Sequence, residues 1–261
     1  MTDFPRGRFV WHELYTTDTA AARQFYQRVT GWGVQDFPME GMDSYTMWMN
    51  GETPVGGMMV LPEQARQMGA PPHWLGYIST PDVDATWAEA QKRGATNIMG
   101  PHTAASVGRW VILKDPQGAL VAFFKSETPS SGPLTAPGMG DFSWHELATT
   151  DLDAATRFYT DLFGWETTDF DMGEFGVYRI FLVEGQQIGG MFRKPDDMPA
   201  PPHWLHYTRV DNADAAAGRV TDAGGKILNG PMDVPGGDRI VQCMDPQGAA
   251  FALQSTPGNQ A

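Results

Sequence analysis

The residues most able to do chemistry lie in a short segment, Trp-His-Glu-Leu, that occurs twice in the chain. It places His12 beside Glu13 and, in the second half, His145 beside Glu146. A glutamate can move a proton as a general acid or base, and imidazole together with carboxylate can hold a divalent metal. Both kinds of chemistry are therefore open at these two segments.

Two further histidines, His73 and His203, each follow a Pro-Pro pair and precede Trp-Leu. If they point the same way as Glu13 and Glu146, each half would offer one histidine and one glutamate. Two protein ligands alone hold a transition metal weakly, so this set is a secondary candidate for a metal site.

The duplication extends far beyond these residues. The pairs Phe25-Tyr26 and Gly31-Trp32 recur as Phe158-Tyr159 and Gly164-Trp165, and Asp-Pro-Gln-Gly occurs near the end of each half. The segment between the halves is rich in Pro, Gly, Ser and Thr, as linkers are. We therefore predict a first domain over residues 1–125, a linker over 126–140, a second domain over 141–255 and a flexible tail over 256–261.

The elements that must position these residues are short. Residues 9–16 have strand character, Thr17 or Asp18 can cap the helix that follows, and Gly31 can end it. The apolar face of this helix is marked by Ala22, Phe25, Tyr26 and Val29. Three strands come next, with Asn50-Gly51 as a hairpin signal. The same order then restarts near residue 74, so the sequence predicts βαβββ modules, two in each half.

This order resembles the vicinal oxygen chelate superfamily, which includes glyoxalase I, the bleomycin resistance proteins and the extradiol dioxygenases. The likeness rests on the βαβββ repeats, the Phe-Tyr and Gly-Trp pairs of the first helix, and the Asp-Pro-Gln-Gly turns. The Trp-His-Glu-Leu start looks most like tandem, glyoxalase-like bacterial proteins. The resemblance implies an α+β fold, in which the two modules of each half curl a mixed sheet into a cup around a small molecule, with helices outside.

The resemblance also implies a divalent metal held by His and Glu side chains that face the cup. The usual Glu is replaced by Ala122 and Ala252, and the usual His positions hold Trp11 and Trp144. His12 and His145 are one residue out of register, and alternate residues of a strand point to opposite faces. A β-bulge could restore them. We expect the ordinary metal site to be missing from both halves, with His12, His145, His73 and His203 as secondary candidates.

The same alternation places Glu13 in phase with Trp11, and Glu146 in phase with Trp144. We expect Glu13 and Glu146 to be the catalytic or binding carboxyl groups, because burial raises the pKa of such a group towards neutrality. A structural alternative is equally open, in which each carboxylate binds strand amides or an arginine such as Arg109 or Arg239. The residues expected to line the binding sites are Trp11, Tyr15, Tyr45, Met47, Met49, Arg109, Trp144, Tyr178 and Arg239.

The net charge of the chain limits the classes of partner that we expect it to bind. Lys and Arg total 18 against 31 Asp and Glu, so the net charge is −13, which disfavours nucleic acid and anionic membranes. No apolar run is long enough for a membrane span, and the start lacks a signal-peptide pattern, so we expect a cytoplasmic protein. Cys243 is alone, which excludes an intrachain disulfide. A tandem chain can complete its pairing internally, so we expect a monomer.

Three classes of function remain open. The first is a glyoxalase-type lyase or isomerase that uses carboxylate acid/base chemistry, with a metal-dependent lyase, isomerase or dioxygenase built on Trp-His-Glu-Leu as the alternative. The second is a binding protein that sequesters a small apolar or cationic compound. The third is a degenerate scaffold or interaction protein. The sequence identifies no cofactor, and a divalent metal stays open.

Overall fold

The computed structural model describes residues 5–39, 42–128 and 132–256. Four βαβββ modules follow one another along this part of the chain. The predicted tail from residue 257 onwards, and residues 129–131 of the predicted linker, lie outside the described residues.

The elements of the first half are these. Module 1 contains β1 (Phe9–Thr16), α1 (Thr19–Thr30), β2 (Gly33–Met39), β3 (Met42–Asn50) and β4 (Thr53–Val60). A short helix, α2 (Glu63–Gln67), leads to module 2, which contains β5 (His73–Ser79), α3 (Val83–Lys92), β6 (Thr96–Ala104), β7 (Gly108–Lys114) and β8 (Leu120–Ser126).

The second half repeats this order. Module 3 contains β9 (Phe142–Thr149), α4 (Leu152–Phe163), β10 (Glu166–Asp171), a 3₁₀ turn (Gly173–Phe175), β11 (Val177–Val183) and β12 (Gln186–Arg193). Module 4 contains β13 (His203–Arg209), α5 (Ala213–Asp222), β14 (Lys226–Asp233), β15 (Arg239–Met244) and β16 (Ala250–Ser255).

Helix α1 shows how local signals set the bounds. Asp18 caps the helix by accepting a hydrogen bond from the backbone N–H of Ala21, and Gly31 ends it in the left-handed conformation, with φ of 80°. The buried side chains recur at helical spacing, as Ala22, Phe25, Tyr26 and Val29. Of the two cap candidates the structure uses Asp18, and the end and the apolar face of the helix are those that the sequence predicts.

Each half forms one open sheet of eight strands, in the order β2-β3-β4-β1-β5-β8-β7-β6 and its equivalent β10-β11-β12-β9-β13-β16-β15-β14. Parallel pairs join β1 to β4 and β5 to β8, whereas the other pairs within each module are antiparallel. The predicted α+β class and the four βαβββ modules are therefore confirmed.

Strand β6 continues past Gly100-Pro101 as far as Ala104. It lies at the edge of its sheet, where a proline is tolerated because its missing N–H group is not needed for pairing with a further strand. The pairing of β6 with β7 shifts register at two places along this strand.

The chain divides into two compact units, and each has its own hydrophobic core. Unit 1 consists of Met1–Val10, Leu75–Thr135 and Trp144–Trp204, and unit 2 consists of Trp11–Trp74, Ala136–Ser143 and Leu205–Ala261. Each unit therefore combines most of one module from the first half with most of one from the second. The domain boundaries predicted from the duplication, 1–125 and 141–255, stay predictions.

A buried chain of hydrogen bonds ties the motifs of unit 2 together. The Trp74 indole donates to the hydroxyl of Tyr26 at 2.8 Å, and this hydroxyl donates to Asp245 at 3.1 Å. The other oxygen of Asp245 accepts hydrogen bonds from backbone N–H groups in its own Asp-Pro-Gln-Gly turn and from that of the next residue, Ala249. The phenol thus links a helix of module 1 to a turn of module 4.

The same chain recurs in unit 1. The Trp204 indole donates to Tyr159 at 3.0 Å, and Tyr159 donates to Asp115 at 3.0 Å. Both of these hydrogen-bonded chains are buried. The repeated Phe-Tyr, His-Trp and Asp-Pro-Gln-Gly motifs therefore have a structural role, which is to join elements within each unit.

Among the described residues, no helix is both long and apolar enough to pass through a lipid bilayer.

The Tyr26→Phe variant should test the Trp–Tyr–Asp chain. It leaves the Trp74 N–H and one oxygen of Asp245 buried without their partner, so we expect a loss of about 1–3 kcal/mol in the free energy of unfolding. Urea denaturation measures this loss, and Tyr159→Phe should give a similar value. A change within about 0.5 kcal/mol for both variants would mean that these bonds do not support the units.

Candidate functional site

The two faces of β1 carry different kinds of side chain. Leu14 is fully buried and lies opposite Met58 in the core of unit 2, and its face also carries His12. Trp11, Glu13 and Tyr15 are on the other face.

Three of the predicted residues form one hydrogen-bonded group, the first acid cluster (Trp11, Glu13 and Tyr45). The Tyr45 hydroxyl donates to Oε2 of Glu13 at 2.7 Å. The Trp11 indole N–H lies 3.2 Å from the same oxygen and 3.2 Å from the Tyr45 hydroxyl, so it is shared between two acceptors. Both donors therefore hold Oε2.

Gly57 makes this approach possible. It lies directly opposite Glu13 in the parallel ladder between β1 and β4. A Cβ atom added at Gly57 would overlap the Tyr45 hydroxyl and lie 2.7 Å from Oε1 of Glu13. Only glycine leaves room for the phenol and the carboxyl group to meet there.

Burial controls the proton affinity of Glu13. The residue is 3% exposed, and among the described residues its Oε1 atom has no hydrogen-bond partner. Desolvation raises the pKa of Glu13 from 4.5 to about 7, against the opposing effect of the hydrogen bonds from Tyr45 and Trp11. Near neutral pH this carboxyl group therefore exists in both protonation states.

Tyr45 stays a hydrogen-bond donor under these conditions. Burial, and then the neighbouring Glu13 carboxylate, raise the pKa of Tyr45 far above its usual value. The phenol therefore does not compete with Glu13 for loss of a proton.

The second half contains a second acid cluster (Trp144, Glu146 and Tyr178). The Tyr178 hydroxyl donates to Oε2 of Glu146 at 3.0 Å and accepts a hydrogen bond from the Trp144 indole at 2.8 Å. Gly190 lies opposite Glu146, and a Cβ atom there would overlap the Tyr178 ring. Burial raises the pKa of Tyr178 well above its usual value, as it does for Tyr45.

The two predicted methionines lie on one face of the first sheet. Met47 lies opposite Gly57, on the face of Glu13, and Met49 is two residues further along the same strand. Trp48, between them, is fully buried in the core. Met47 and Met49, both half-buried, therefore share the face of the sheet that carries the first acid cluster.

Tyr15 and His73 also lie together. Their rings stack with centroids 5.3 Å apart. Nδ1 of His73 is 2.8 Å from the carbonyl oxygen of Pro71, and burial lowers the pKa of His73, so the imidazole is neutral at pH 7. His203 makes the same 2.8 Å contact with Pro201.

His12 and His145 are buried among aromatic rings. His12 stacks on Phe142 at 3.6 Å and meets His206 edge-on at 4.8 Å, whereas His145 stacks on Phe9 at 3.9 Å. The contact with His206 was missed at the sequence level, because His206 has Gly76 as its counterpart in the first half and so is not repeated.

The two predicted arginines are not brought to the acid clusters. Arg109 binds Asp84 on α3 at 2.6 Å, and Arg239 binds Asp214 on α5 at 2.5 Å and Asp233 at 2.9 Å. Glu13 forms no ion pair among the described residues. Its hydrogen-bond donors are Tyr45 and Trp11, and not the arginine that the sequence left open as a partner.

The two alanines at the positions of the family's usual glutamate are fully buried. Ala122 lies opposite Tyr77 in its ladder, and Ala252 lies opposite Tyr207.

A sequence-family model matches both halves. Its description is Glyoxalase/Bleomycin resistance protein/Dioxygenase superfamily, and the match covers residues 8–123 and 142–253. The resemblance seen in the sequence is confirmed.

A curated relative aligns along almost the whole chain. It is a Mycobacterium bovis protein named "Putative glyoxylase CFP32", 33% identical over 255 residues, which are 97% of this chain and 96% of the relative.

Two solved structures share the fold. One is the Mn(II)-bound glyoxalase from Novosphingobium aromaticivorans, with a TM-score of 0.63 and 17% identity, covering 97% of this chain and 82% of the other. The second is homoprotocatechuate 2,3-dioxygenase from Brevibacterium fuscum, with a TM-score of 0.66 and 17% identity, covering 98% of this chain and 85% of the other.

The Glu13→Gln variant should change the pH dependence of stability. The folded pKa of Glu13, about 7, lies above its unfolded value of 4.5, so the group's contribution is complete below pH 4.5 and is lost as pH rises through 7. Relative to the variant, wild-type stability should fall by about 3 kcal/mol across this range. Urea denaturation at several pH values measures the difference. Glu52→Gln, at an exposed position, is the control. If the stability of wild type and of Glu13→Gln changed with pH in parallel, the raised pKa of Glu13 would be contradicted.

The Gly57→Ala variant should separate Tyr45 from Glu13. The added methyl group overlaps the phenol, and we expect a cost of about 1–3 kcal/mol in the free energy of unfolding. Gly33→Ala is the matched control, because its Cβ would meet Met49 at an ordinary 3.6 Å. Equal stability of the two variants, measured by urea denaturation, would contradict the tight contact.

Proposed function

The chain belongs to the Glyoxalase/Bleomycin resistance protein/Dioxygenase superfamily. We propose that it binds a small organic compound at the first acid cluster, where Glu13 exchanges a proton with the bound compound. The observation that carries the proposal is the buried Oε1 atom of Glu13, which has no hydrogen-bond partner among the described residues.

The hydrogen bonds assign separate tasks to the two oxygens of Glu13. Tyr45 and Trp11 both donate to Oε2, so the acid proton, when present, resides on Oε1. In the protonated state Oε1 donates to a ligand, and in the ionised state it accepts a proton. A carboxyl group with a pKa of about 7 suits both tasks near neutral pH.

The neighbouring side chains complete the site. Trp11 and Tyr45 fix the orientation of the carboxyl group, and Met47 and Met49 offer apolar surface that excludes water and adapts its shape. Water exclusion keeps the pKa of Glu13 high, because it withholds the solvation that stabilises a carboxylate.

We expect no metal at the positions where the resemblance to the family places its ligands. Trp11 and Trp144 carry only an N–H donor, and Ala122 and Ala252 carry a methyl group. On β1, His12 and Glu13 point to opposite faces, so this pair of neighbours does not converge on one ion. The proposal therefore assigns the proton exchange to Glu13.

Sequestration without turnover is the second candidate function. It is favoured by the repetition of the cluster, since Trp144, Glu146 and Tyr178 form the same kind of hydrogen-bonded group in the second half. Two similar clusters would double the amount of compound that one chain holds, which sequestration requires and conversion does not.

Thermal-shift screening with neutral, anionic and cationic small compounds tests the proposal. Protein dialysed against a chelator should be stabilised by at least one class, because a ligand that binds the folded state raises its stability by mass action. Glu13→Gln should remove most of that shift, and Glu52→Gln should leave it intact. Stabilisation that is unchanged in Glu13→Gln, or the absence of any stabilising compound, would refute the proposal.

Turnover of the stabilising compound then separates the two candidates. A proton-exchange enzyme should convert the compound, or exchange one of its C–H protons with deuterium from solvent, and lose this activity in Glu13→Gln. A sequestering protein should bind the compound and return it unchanged.

A further inference from the structure

The first acid cluster lacks a positive charge. Glu13 is buried without an ion pair among the described residues, whereas other carboxylates of unit 2 are paired, as Asp36 is with Arg23 and Asp211 with Arg219. Burying a carboxylate without a neighbouring cation costs free energy, and a positively charged ligand would offset that cost.

Asp245 shows how the same unit satisfies a buried carboxyl group without a cation. It accepts three backbone N–H groups on one oxygen and the Tyr26 hydroxyl on the other. Glu13 uses only Oε2 in this way, and its Oε1 atom has no such donor among residues 5–39, 42–128 and 132–256. The unused oxygen marks the place for a ligand.

Aromatic side chains share the face of Glu13. Trp11, Tyr15 and Tyr45 stand on this face of β1 and β3. The faces of such rings carry negative electrostatic potential and attract cations, most strongly where water is excluded. His73, which stacks on Tyr15, is neutral at pH 7 because burial lowers its pKa, so it does not supply the missing charge.

The number of free acceptors favours one kind of cation. A primary ammonium group brings three N–H donors and is strongly hydrated, so burying it requires several acceptors. Here one buried carboxylate oxygen lacks a partner among the described residues, and the same face carries the rings of Trp11 and Tyr45 and the thioether of Met47. A methylated ammonium group, whose methyl groups spread the charge over an apolar surface, meets these conditions. An anionic ligand would add a second negative charge beside Glu13.

We propose that the first acid cluster binds a compact organic cation with a methylated ammonium group, held between Oε1 of Glu13 and the rings of Trp11, Tyr15 and Tyr45. This inference rests on the proposed function and specifies its ligand class. Met47, across Gly57 from Glu13, adapts its flexible thioether to admit the ligand.

Titration calorimetry with choline and its uncharged isostere 3,3-dimethylbutan-1-ol tests the charge directly, on the full chain at pH 8. The two molecules have almost the same shape, so only the charge differs. Choline should bind at least about tenfold more tightly than the alcohol. Glu13→Gln should weaken choline at least about tenfold and change the alcohol less than about threefold. Glu52→Gln, which removes one exposed charge from the same module, should leave both affinities unchanged.

The remaining outcomes distinguish this inference from the proposed function. If the alcohol binds as tightly as choline, or neither binds while another compound is held in a Glu13-dependent way, the cation is refuted and the proposed function stands. If no compound of any class binds, both are refuted. If choline binds equally well to Glu13→Gln, the site of the cation lies elsewhere and the inference is wrong.

Discussion

Alternate residues of a β-strand point to opposite faces, and in β1 this geometry separates scaffold from chemistry. Leu14 joins the core, whereas Trp11 and Glu13 stand on the other face with Tyr45. The arrangement holds only because Gly57, across the ladder, has no side chain where the phenol meets the carboxyl group. Register and one missing Cβ atom therefore fix the hydrogen bonds of Glu13, and these bonds together with burial fix its proton affinity.

The buried Trp–Tyr–Asp chains give the repeated motifs a physical meaning. In each unit a phenol links a helix to an Asp-Pro-Gln-Gly turn of the other half of the chain, and an indole N–H completes its hydrogen bonding. Residues repeated for this reason maintain the scaffold on which the acid clusters stand. Repetition alone therefore does not mark a functional residue, and Glu13 is singled out by its unsatisfied burial.

Local signals made much of the fold predictable. Asp18, Gly31 and the apolar spacing between them define α1, and the phase of Trp11 predicted the side of the strand on which Glu13 lies. The sequence did not predict the bond between Tyr45 and Glu13, because it depends on strand pairing across 32 positions. The ion pair between Arg109 and Asp84 was also not predictable from the sequence, because it depends on how α3 packs. Family likeness gave the topology, but it did not identify the ligand.

The function proposed for the first acid cluster depends on a buried Glu13 that holds its proton close to neutral pH. Infrared titration of the folded protein, with Glu13→Gln as the reference, measures this most directly, because a protonated carboxyl group has its own C=O stretching band. We expect a band that is absent from the variant and that disappears from the wild type as pH rises, with a midpoint at about pH 7. A band that disappears with a midpoint near pH 4.5, the ordinary pKa of a glutamate, would contradict it.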